Sequence, residues 1–376
     1  MDLLLSALLL IWGLLWIQAR AALRRIPTLV PPMIVDGKSA FVSVVIPARN
    51  EERSVENTIR SLMKQKGVSL EVIVVNDHSE DKTGKILEAL CHEYSNLQVV
   101  HNPILKEGWM GKTNALSVGA ELAKGEVLLF TDADIHFRPL AVYSALKNME
   151  QRQLDFLSLF PRFRWKSLFE HCVMPGFFLG LLHAGSSKIE DPKAPNSAVA
   201  VGAFLMIRRD SYVNSEGHSS IKSSLIDDLE LAISLKKSGA RVGVGLAPDL
   251  IDVRMYYGNI ETMGAFDKNV LGPLGAYWWL GFLLPMVFGV LYGSGCVGLC
   301  LGAFYGKWSW MLLGGGLFLV QYCSFWTLKS WHDFSGILLV FYPLAVFLIG
   351  WSVAIALWRR IVRGTTKWRG REISLR

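Results

Sequence analysis

VLLFTDAD, residues 127–134, decides how this chain is read. The apolar run Val127–Phe130 fits a short strand covered on both faces, and two carboxylates, Asp132 and Asp134, follow at once. Acids do not belong inside such a strand, so the strand ends here. In an open sheet that end faces the crevice where ligands bind. Residues i and i+2 of an extended chain point the same way, so both carboxylates reach one point. Two hard oxygen ligands that leave other positions open suit Mg²⁺ or Mn²⁺ carrying a phosphate. The same pair also suits a helix cap or a turn after a strand. Taken alone, the two readings carry equal weight.

Upstream, strand-like and helix-like segments alternate. FVSVVIP (41–47) reads as a strand stopped by Pro47. Residues 50–66 have helical spacing, with Val55, Ile59, Leu62 and Met63 on one face and Gly67 closing the helix. LEVIVVND (70–77) is a second buried strand, Thr83 to Tyr94 a second helix and LQVVHN (97–102) a third strand. Thr113 to Lys124 is a third helix, ended by Gly125, and VLLFTDAD is the fourth strand. Strand–helix–strand repeated this way requires right-handed crossovers. The fold class is α/β, a mainly parallel sheet with helices on both faces.

The rest of the composition is less like a soluble enzyme. Of 376 residues, 51% are hydrophobic and only 19% charged, and the mean hydropathy is +0.32, which predicts membrane segments. The net charge of +7 gathers beside apolar blocks, with no basic stripe interleaved with aromatics, so nucleic acid is excluded as a partner. The cysteines Cys91, Cys172, Cys296, Cys300 and Cys323 lack zinc spacing and read as free thiols.

Residues 3–17 are apolar and are followed by Arg20, Arg24 and Arg25. Positive charge after the apolar run, rather than before it, predicts an uncleaved anchor with the following residues in the cytoplasm. Pro27, Pro31 and Pro32 make an extended linker. GNIETMGAFDKNVLG, beginning at Gly258, places Ile260, Met263 and Val270 on one side, as a helix lying in the lipid interface or packed on protein would. Apolar blocks Leu274–Phe304, Trp308–Leu328 and Gly336–Trp358 each have the length of a span. Trp278, Trp279, Trp308, Trp310, Trp326, Trp331 and Trp358 sit near block ends, as interfacial belts do. The tail with Arg359, Arg360, Arg363, Lys367, Arg369, Arg371 and Arg376 calls for the cytoplasmic side, which an odd number of spans after a cytoplasmic domain does not give. Either one block fails to cross, or the first is broken near Gly293 to Gly295. The expected organisation is an anchor (1–25), a linker (26–39), a catalytic domain (40–257), an interface helix (258–271), a transmembrane region (272–358) and a basic tail (359–376).

Several polar segments line up around Asp132 and Asp134. The first strand ends in Pro47-Ala48-Arg49-Asn50-Glu51-Glu52 and the second in Asp77, both suited to a nucleotide base and ribose. EGWMGKTNAL (107–116) has Gly108 and Gly111 and opens a helix at Lys112, whose start favours anions, but its spacing is not that of a Walker A loop. VSVVIPARNEE (42–52), VIVVNDHSEDKT (72–83), GWMGKTNAL (108–116) and FTDAD (130–134) resemble glycosyltransferase family 2, in that order and at that spacing. The resemblance implies a nucleotide-diphospho-sugar transferase (GT-A type) fold with a metal-binding D-x-D motif, over roughly residues 40 to 270.

By that resemblance Pro47, Asn50, Glu51 and Asp77 would contact the nucleotide and Lys112 would lie by it. Asp132 and Asp134 would hold the ribose–diphosphate–metal unit. NSAVAVGAFLMIRRDSY (196–212) resembles the acceptor-side strand, with Gly202, Ala203 and Phe204 at the acceptor. SEGHSSIKSSLIDDLELA (215–232) resembles the segment with the catalytic base, which would be Asp228, beside Asp227. An acidic first helical turn would also account for both acids. A carboxylate base takes the acceptor hydroxyl's proton, and a divalent cation offsets charge on the leaving diphosphate. The processive synthases' Q-x-x-R-W is absent; Val253-Arg254-Met255-Tyr256 stands there, and Trp368-Arg369-Gly370-Arg371 near the end. These, with Gly217-His218, resemble the membrane-bound branch that glycosylates lipids, including carotenoid- and hopanoid-associated transferases. His218 and Arg254 would then assist at the diphosphate or acceptor, or serve the fold. The expected function is an inverting transfer of a sugar from a nucleotide donor, a UDP-sugar, to a membrane lipid or isoprenoid acceptor by a multi-pass protein of the cell membrane. A polysaccharide synthase and a non-enzymatic scaffold are the alternatives.

Overall fold

In the computed structural model, residues 1–35, 40–185, 189–224, 226–259, 262, 281–283, 286–287, 289–363, 365–368 and 371–374 are described. The described chain forms two compact units that do not follow its order. One comprises residues 26–163 and 185–255, the other residues 1–25, 164–184 and 256–376.

The first unit is built on a seven-stranded sheet of order β3-β2-β1-β4-β8-β6-β9. Its strands are β1 (Val42–Ala48), β2 (Leu70–Asn76), β3 (Leu97–His101), β4 (Val127–Phe130), β6 (Phe156–Phe160), β8 (Leu205–Arg208) and β9 (Val242–Leu246). β1 pairs in parallel with β2 and β4, and β2 with β3. β8 runs antiparallel to both β4 and β6, while β6 and β9 are parallel. The sheet is therefore mixed, with its parallel half where the alternating sequence predicts it. Val45, Ile73, Val75, Leu128 and Phe130 share a core with α4 (Gly111–Leu122) and α8 (Asp227–Lys237). Side chains alternate across a sheet, and Val44, Val72, Val74 and Leu129, on the opposite face, are equally buried. Burying runs of Val, Leu and Ile on both faces is the main force that holds this layer together. At Gly119 a Cβ would fall 2.3 Å from Val45, so glycine lets α4 approach β1 this closely.

The strand edges and helix ends refine the expectation. β1 continues through Pro47 to Ala48 instead of stopping at Pro47. The helix expected over residues 50–66 is α2 (Val55–Met63), because Asn50 has φ 54° and a chain in that left-handed conformation cannot begin a right-handed helix. The linker is partly structured: Leu29 donates its N–H to Leu246 O at 2.7 Å, and Leu246 donates to Pro27 O at 2.9 Å, which covers the exposed edge of β9. Beyond β4, β5 (Ile135–Phe137) pairs antiparallel with β10 (Ile251–Val253), which pairs in parallel with β7 (Arg162–Arg164).

The second unit holds the apolar helices. α1 (Asp2–Arg25) and the helical stretch Trp308–Ser330 are long and apolar enough to cross a membrane. Helices Ser294–Tyr305 and Trp308–Trp326 touch backbone to backbone, since a Cβ on Gly314 would lie 2.5 Å from Leu299 N. A π turn over Gly289–Gly293 loosens the regular helix bonding there, and the Leu291 carbonyl accepts Trp12 Nε1 at 3.0 Å and Gln321 Nε2. Gln321 Oε1 accepts Tyr342 OH at 2.6 Å. The apolar block Gly336–Trp358 is interrupted between Gly336–Leu339 and Ala345–Arg363 by a 3-10 turn containing Pro343. Trp331 is 1% exposed, packed within the protein, whereas Trp308 and Trp358 are open. α6 (Leu168–Gly185) also groups here, opened by a capping box in which Glu170 Oε2 accepts Ser167 N–H at 2.9 Å. The expected stretch 40–257 is thus divided in space. Most of the expected interface helix 258–271, together with Trp278 and Trp279, lies outside the described residues. Near the C-terminus, Thr365–Trp368 pairs antiparallel with Arg371–Ser374.

Candidate active site

β1 and β4 are neighbours from which the chain departs in different directions, toward β2 on one side and into β5 and β8 on the other. Such a divergence opens a crevice at the strand ends. Thr131, the first residue after β4, donates its N–H to Val45 O at 3.2 Å and its hydroxyl to Ala203 O at 2.7 Å. It thereby ties the acidic turn to the chain entering β8. Asp132 Oδ1 lies 2.9 Å from Lys112 Nζ, at the start of α4. The same ammonium lies 3.1 Å from Asp227 Oδ2, at the start of α8. Asp228 Oδ2 accepts the Gly202 N–H at 2.9 Å, and its Oδ1 accepts the Leu229 N–H at 2.8 Å. A Cβ on Gly202 would sit 3.3 Å from both Asp132 Oδ2 and Lys112 Nζ, and 3.7 Å from Asp228 Oδ2. The bare glycine therefore forms one side of the space between the acids. Lys112, Asp132, Gly202, Asp227 and Asp228 are brought together from segments far apart in sequence.

The cluster carries more negative than positive charge. Burial works against the Lys112 charge, but Asp132, Asp227 and Asp228 outweigh it and hold the ammonium well above its ordinary range. Burial, then the neighbouring Asp132, pushes the Asp134 carboxyl up to about 7. Burial, then Asp227, with Lys112 opposing, pushes Asp228 up to about 6. A carboxylate pair that resists ionising together is short of a cation. That shortage and the hard oxygen donors of Asp132 and Asp134 fit Mg²⁺ or Mn²⁺. Among the described residues no group of three or more His, Cys, Asp or Glu side chains is placed to hold a metal ion.

The loops after β1 and β2 are sewn to each other. Asn50 accepts the Glu80 N–H on Oδ1 at 2.8 Å and donates its own N–H to Ser79 Oγ at 3.0 Å. Glu51 donates its N–H to Thr83 Oγ1 at 2.8 Å and accepts the Ser54 hydroxyl on Oε2 at 2.9 Å. Asn50 and Glu51 thus shape the turn with their polar groups. Pro47 pairs within β1 beside Val75 and is partly exposed. Asp77 is buried, with its N–H on Ala48 O at 2.8 Å and Oδ1 3.0 Å from His78 Nδ1. Arg49, not singled out from the sequence, donates to Asp77 O at 2.9 Å and lies 3.8 Å from Glu80. It follows the same strand end, which was the available signal.

On the expected acceptor side, Ala203 and Phe204 are buried at 5% and 0% exposure, so they form a wall behind Gly202 rather than open surface. His218 is 1% exposed and enclosed by Phe130 and Tyr212, which withdraws its ring from any acceptor-facing surface. Tyr212 carries no signal in the sequence that would have singled it out. Arg254 follows Val253, which pairs with Ile135, so the register carries it alongside Asp134.

Residues 43–214 match the sequence model of glycosyl transferase family 2. A 4,4'-diaponeurosporenoate glycosyltransferase of Staphylococcus aureus (strain MRSA252) is 26% identical over 348 residues, covering 89% of this chain and 88% of the relative. The protein of the same name from Staphylococcus haemolyticus is 25% identical over 225 residues, 59% of this chain and 58% of that relative's length. Among solved structures, the mannosyltransferase PcManGT from Pyrobaculum calidifontis, in complex with GDP-Man and Mn²⁺, superposes with a TM-score of 0.55 at 17% identity. That match covers 93% of this chain and 98% of the other, and it shows the GT-A type fold.

Proposed function

We propose that this chain, a glycosyltransferase carrying a family 2 domain over residues 43–214, moves a sugar from a nucleotide-diphospho-sugar, a UDP-sugar, to a lipid or isoprenoid acceptor held in a membrane. The observation that carries the reading is the gathering of Asp132, Asp227 and Asp228 around Lys112 and Gly202 at the ends of β1 and β4. The names of the staphylococcal relatives support a carotenoid-type lipid acceptor. The apolar α1 and Trp308–Ser330 support membrane attachment. With Arg20, Arg24 and Arg25 just after the α1 apolar run, the reading is a multi-pass protein whose catalytic domain faces the cytoplasm.

In this reading the loops holding Pro47, Asn50, Glu51 and Asp77 frame the nucleotide. Asp132 and Asp134 hold Mg²⁺ or Mn²⁺, which when bound offsets the negative charge that grows on the leaving diphosphate. Lys112 adds its positive charge beside the same group while holding Asp132 and Asp227 in place. Asp228 is the base. Its oxygens are fixed by the Gly202 and Leu229 N–H groups, and a carboxyl raised to about 6 is a stronger proton acceptor than an ordinary aspartate while still ionised at neutral pH. With a hydroxyl acceptor it takes the proton as that oxygen attacks the anomeric carbon and the nucleotide diphosphate departs, which inverts the centre; a carboxyl acceptor that arrives ionised attacks through its own oxygen with the same inversion and no proton to give up. Gly202 leaves room for the reacting groups.

The test is mass spectrometry of lipids from cells with and without the gene, together with transfer by the purified full chain in nanodiscs supplied with those lipids, UDP-sugars and Mn²⁺. The expected result is a lipid heavier by one sugar unit that disappears in Asp134→Ala. Identical lipid profiles, together with no transfer from any UDP-sugar, would refute the proposal.

A further inference from the structure

Asp132 and Asp134 stand on a piece of chain that lies outside the strand ladders. β4 ends at Phe130 and β5 begins at Ile135, and the residues between them turn from one sheet into the other. On the near side the turn is tied by the Thr131 N–H on Val45 O at 3.2 Å. Ala133, between the two acids, is 1% exposed, so its carbonyl needs a partner inside the protein. Thr58 of α2 supplies it.

Thr58 is equally buried, and its hydroxyl lies 2.8 Å from Ala133 O and 3.3 Å from Ser54 O. A hydroxyl has one hydrogen to give, and the shorter contact is the one to Ala133. A threonine that served its helix alone would turn that hydrogen to the carbonyl four residues back, here Ser54 O, which already accepts the Thr58 N–H at 3.1 Å. The contact continues as a row. Ser61 accepts the Phe137 N–H at 3.1 Å and donates its hydroxyl to Thr58 O at 2.7 Å. Gln65, just past the end of α2, donates Nε2–H to Arg138 O at 2.8 Å and accepts the Val142 N–H on Oε1 at 3.0 Å. Residues i, i+3 and i+7 share one side of a helix. Beside the apolar contacts Val55, Ile59 and Leu62, α2 thus carries a polar row that holds the backbone of residues 133–142. The first member of the row touches the acidic turn, and the others hold β5 and the chain after it.

A peptide group is planar. Fixing Ala133 O therefore fixes the plane that contains the Asp134 nitrogen, and with it the direction in which Asp134 leaves the turn. We propose that Thr58 is a positioning residue for the acid pair: by holding the Ala133 carbonyl, its hydroxyl turns Asp134 toward the point that Asp132 reaches. The inference rests on the reading of Asp132 and Asp134 as the holders of Mg²⁺ or Mn²⁺. It adds a buried side chain behind that pair, on a helix that contributes none of the residues assigned to the site.

The experiment titrates Mn²⁺ into the full chain in nanodiscs at a fixed concentration of UDP. Binding is followed by loss of the EPR signal of free Mn²⁺, with UDP and empty nanodiscs as the blank, and Tm is measured for each variant. Thr58→Val keeps the shape of the side chain and removes the donor, Thr58→Ala removes the donor and its methyl alike, and Thr58→Ser restores the donor. Gln65→Met cuts the same row farther from the acids and measures what a loss of packing alone does. Thr58→Ser and Gln65→Met should bind Mn²⁺ within about threefold of the parent. Thr58→Val and Thr58→Ala should bind it at least tenfold more weakly, the range seen when groups that orient a metal ligand are removed. Parental affinity in Thr58→Val or Thr58→Ala overturns the proposal, and so does a failure of Thr58→Ser to restore binding. An equal loss in Gln65→Met also overturns it, because the effect then follows stability and not the acid pair. A parent that takes up no Mn²⁺ beyond the blank refutes the metal reading itself and the inference with it, whereas the variant outcomes bear on Thr58 alone.

Discussion

Replacing Lys112 by Met removes the ammonium on which the acid cluster is assembled while keeping most of its aliphatic stem. It breaks the ion pairs with Asp132 at 2.9 Å and Asp227 at 3.1 Å. At an effective dielectric constant of about 20, unit charges at such distances attract by roughly 5–6 kcal/mol each in gross terms. The Asp132 side chain is 37% exposed, so water screens most of its share, whereas Asp227 is 9% exposed and keeps more. Removing one partner of a buried pair costs about 3–5 kcal/mol, and the orphaned acids recover part of that by taking up protons. The expected net loss at pH 7.5 is about 2–4 kcal/mol, or a fall in Tm of about 5–10 °C for a domain of this size. The assay is thermal unfolding of the full chain in detergent, followed by tryptophan fluorescence at pH 7.5 and pH 5. The sign of the pH effect follows from carboxyls whose pKa values in the folded state are raised, to about 7 for Asp134 and about 6 for Asp228. Such groups add stability as pH falls through the folded value and lose it as pH rises. Without Lys112 they are raised further, so the variant should recover part of its deficit at pH 5. A Tm within 2 °C of the parent at pH 7.5, or a deficit that does not shrink at pH 5, would refute the picture of a cluster held together by this ammonium.

Asp228→Asn should lower kcat for a hydroxyl acceptor by about 10²–10⁴-fold and leave binding of UDP and Mn²⁺ within a few-fold; a parental rate would remove Asp228 from the role of base. In the parent, log kcat/KM should fall below an apparent pKa near 6, because the ionised Asp228 is the active form and protonation disables it; a profile flat from pH 8 to 5 would contradict this. Gly202→Ala puts a methyl 3.3 Å from Lys112 Nζ and Asp132 Oδ2, and should cost about 10–100-fold in turnover with little change in Tm, since small misplacements at a reacting centre are expensive. Gln321→Leu takes one donor from Leu291 O and the acceptor from Tyr342 OH, and should lower resistance to SDS-induced unfolding by about 0.5–2 kcal/mol; an unchanged midpoint would show that the network contributes nothing to the apolar unit.

The strands and helices of the parallel half of the sheet were legible in the residue pattern, because apolar runs such as Val127–Phe130 report burial on both faces directly. It also determined which acids stand at strand ends, since a carboxylate after such a run has few other places to be. It could not give the length of β1 past Pro47 or the late start of α2, which depend on a paired neighbour strand and on the left-handed Asn50. Nor could it show that Gly336–Trp358 breaks around Pro343, because mean apolarity is blind to a missing backbone N–H. Above all, Asp132 and Asp228 read as separate acids with separate tasks. That α4, the turn after β4, Gly202 and the start of α8 meet is visible in the folded chain alone, where one ammonium touches Asp132 and Asp227 and the Gly202 N–H reaches Asp228 from a distant segment. The reason is physical: local pattern encodes which side of an element is buried, whereas the distance between two elements is set by crossovers and packing that no single segment contains.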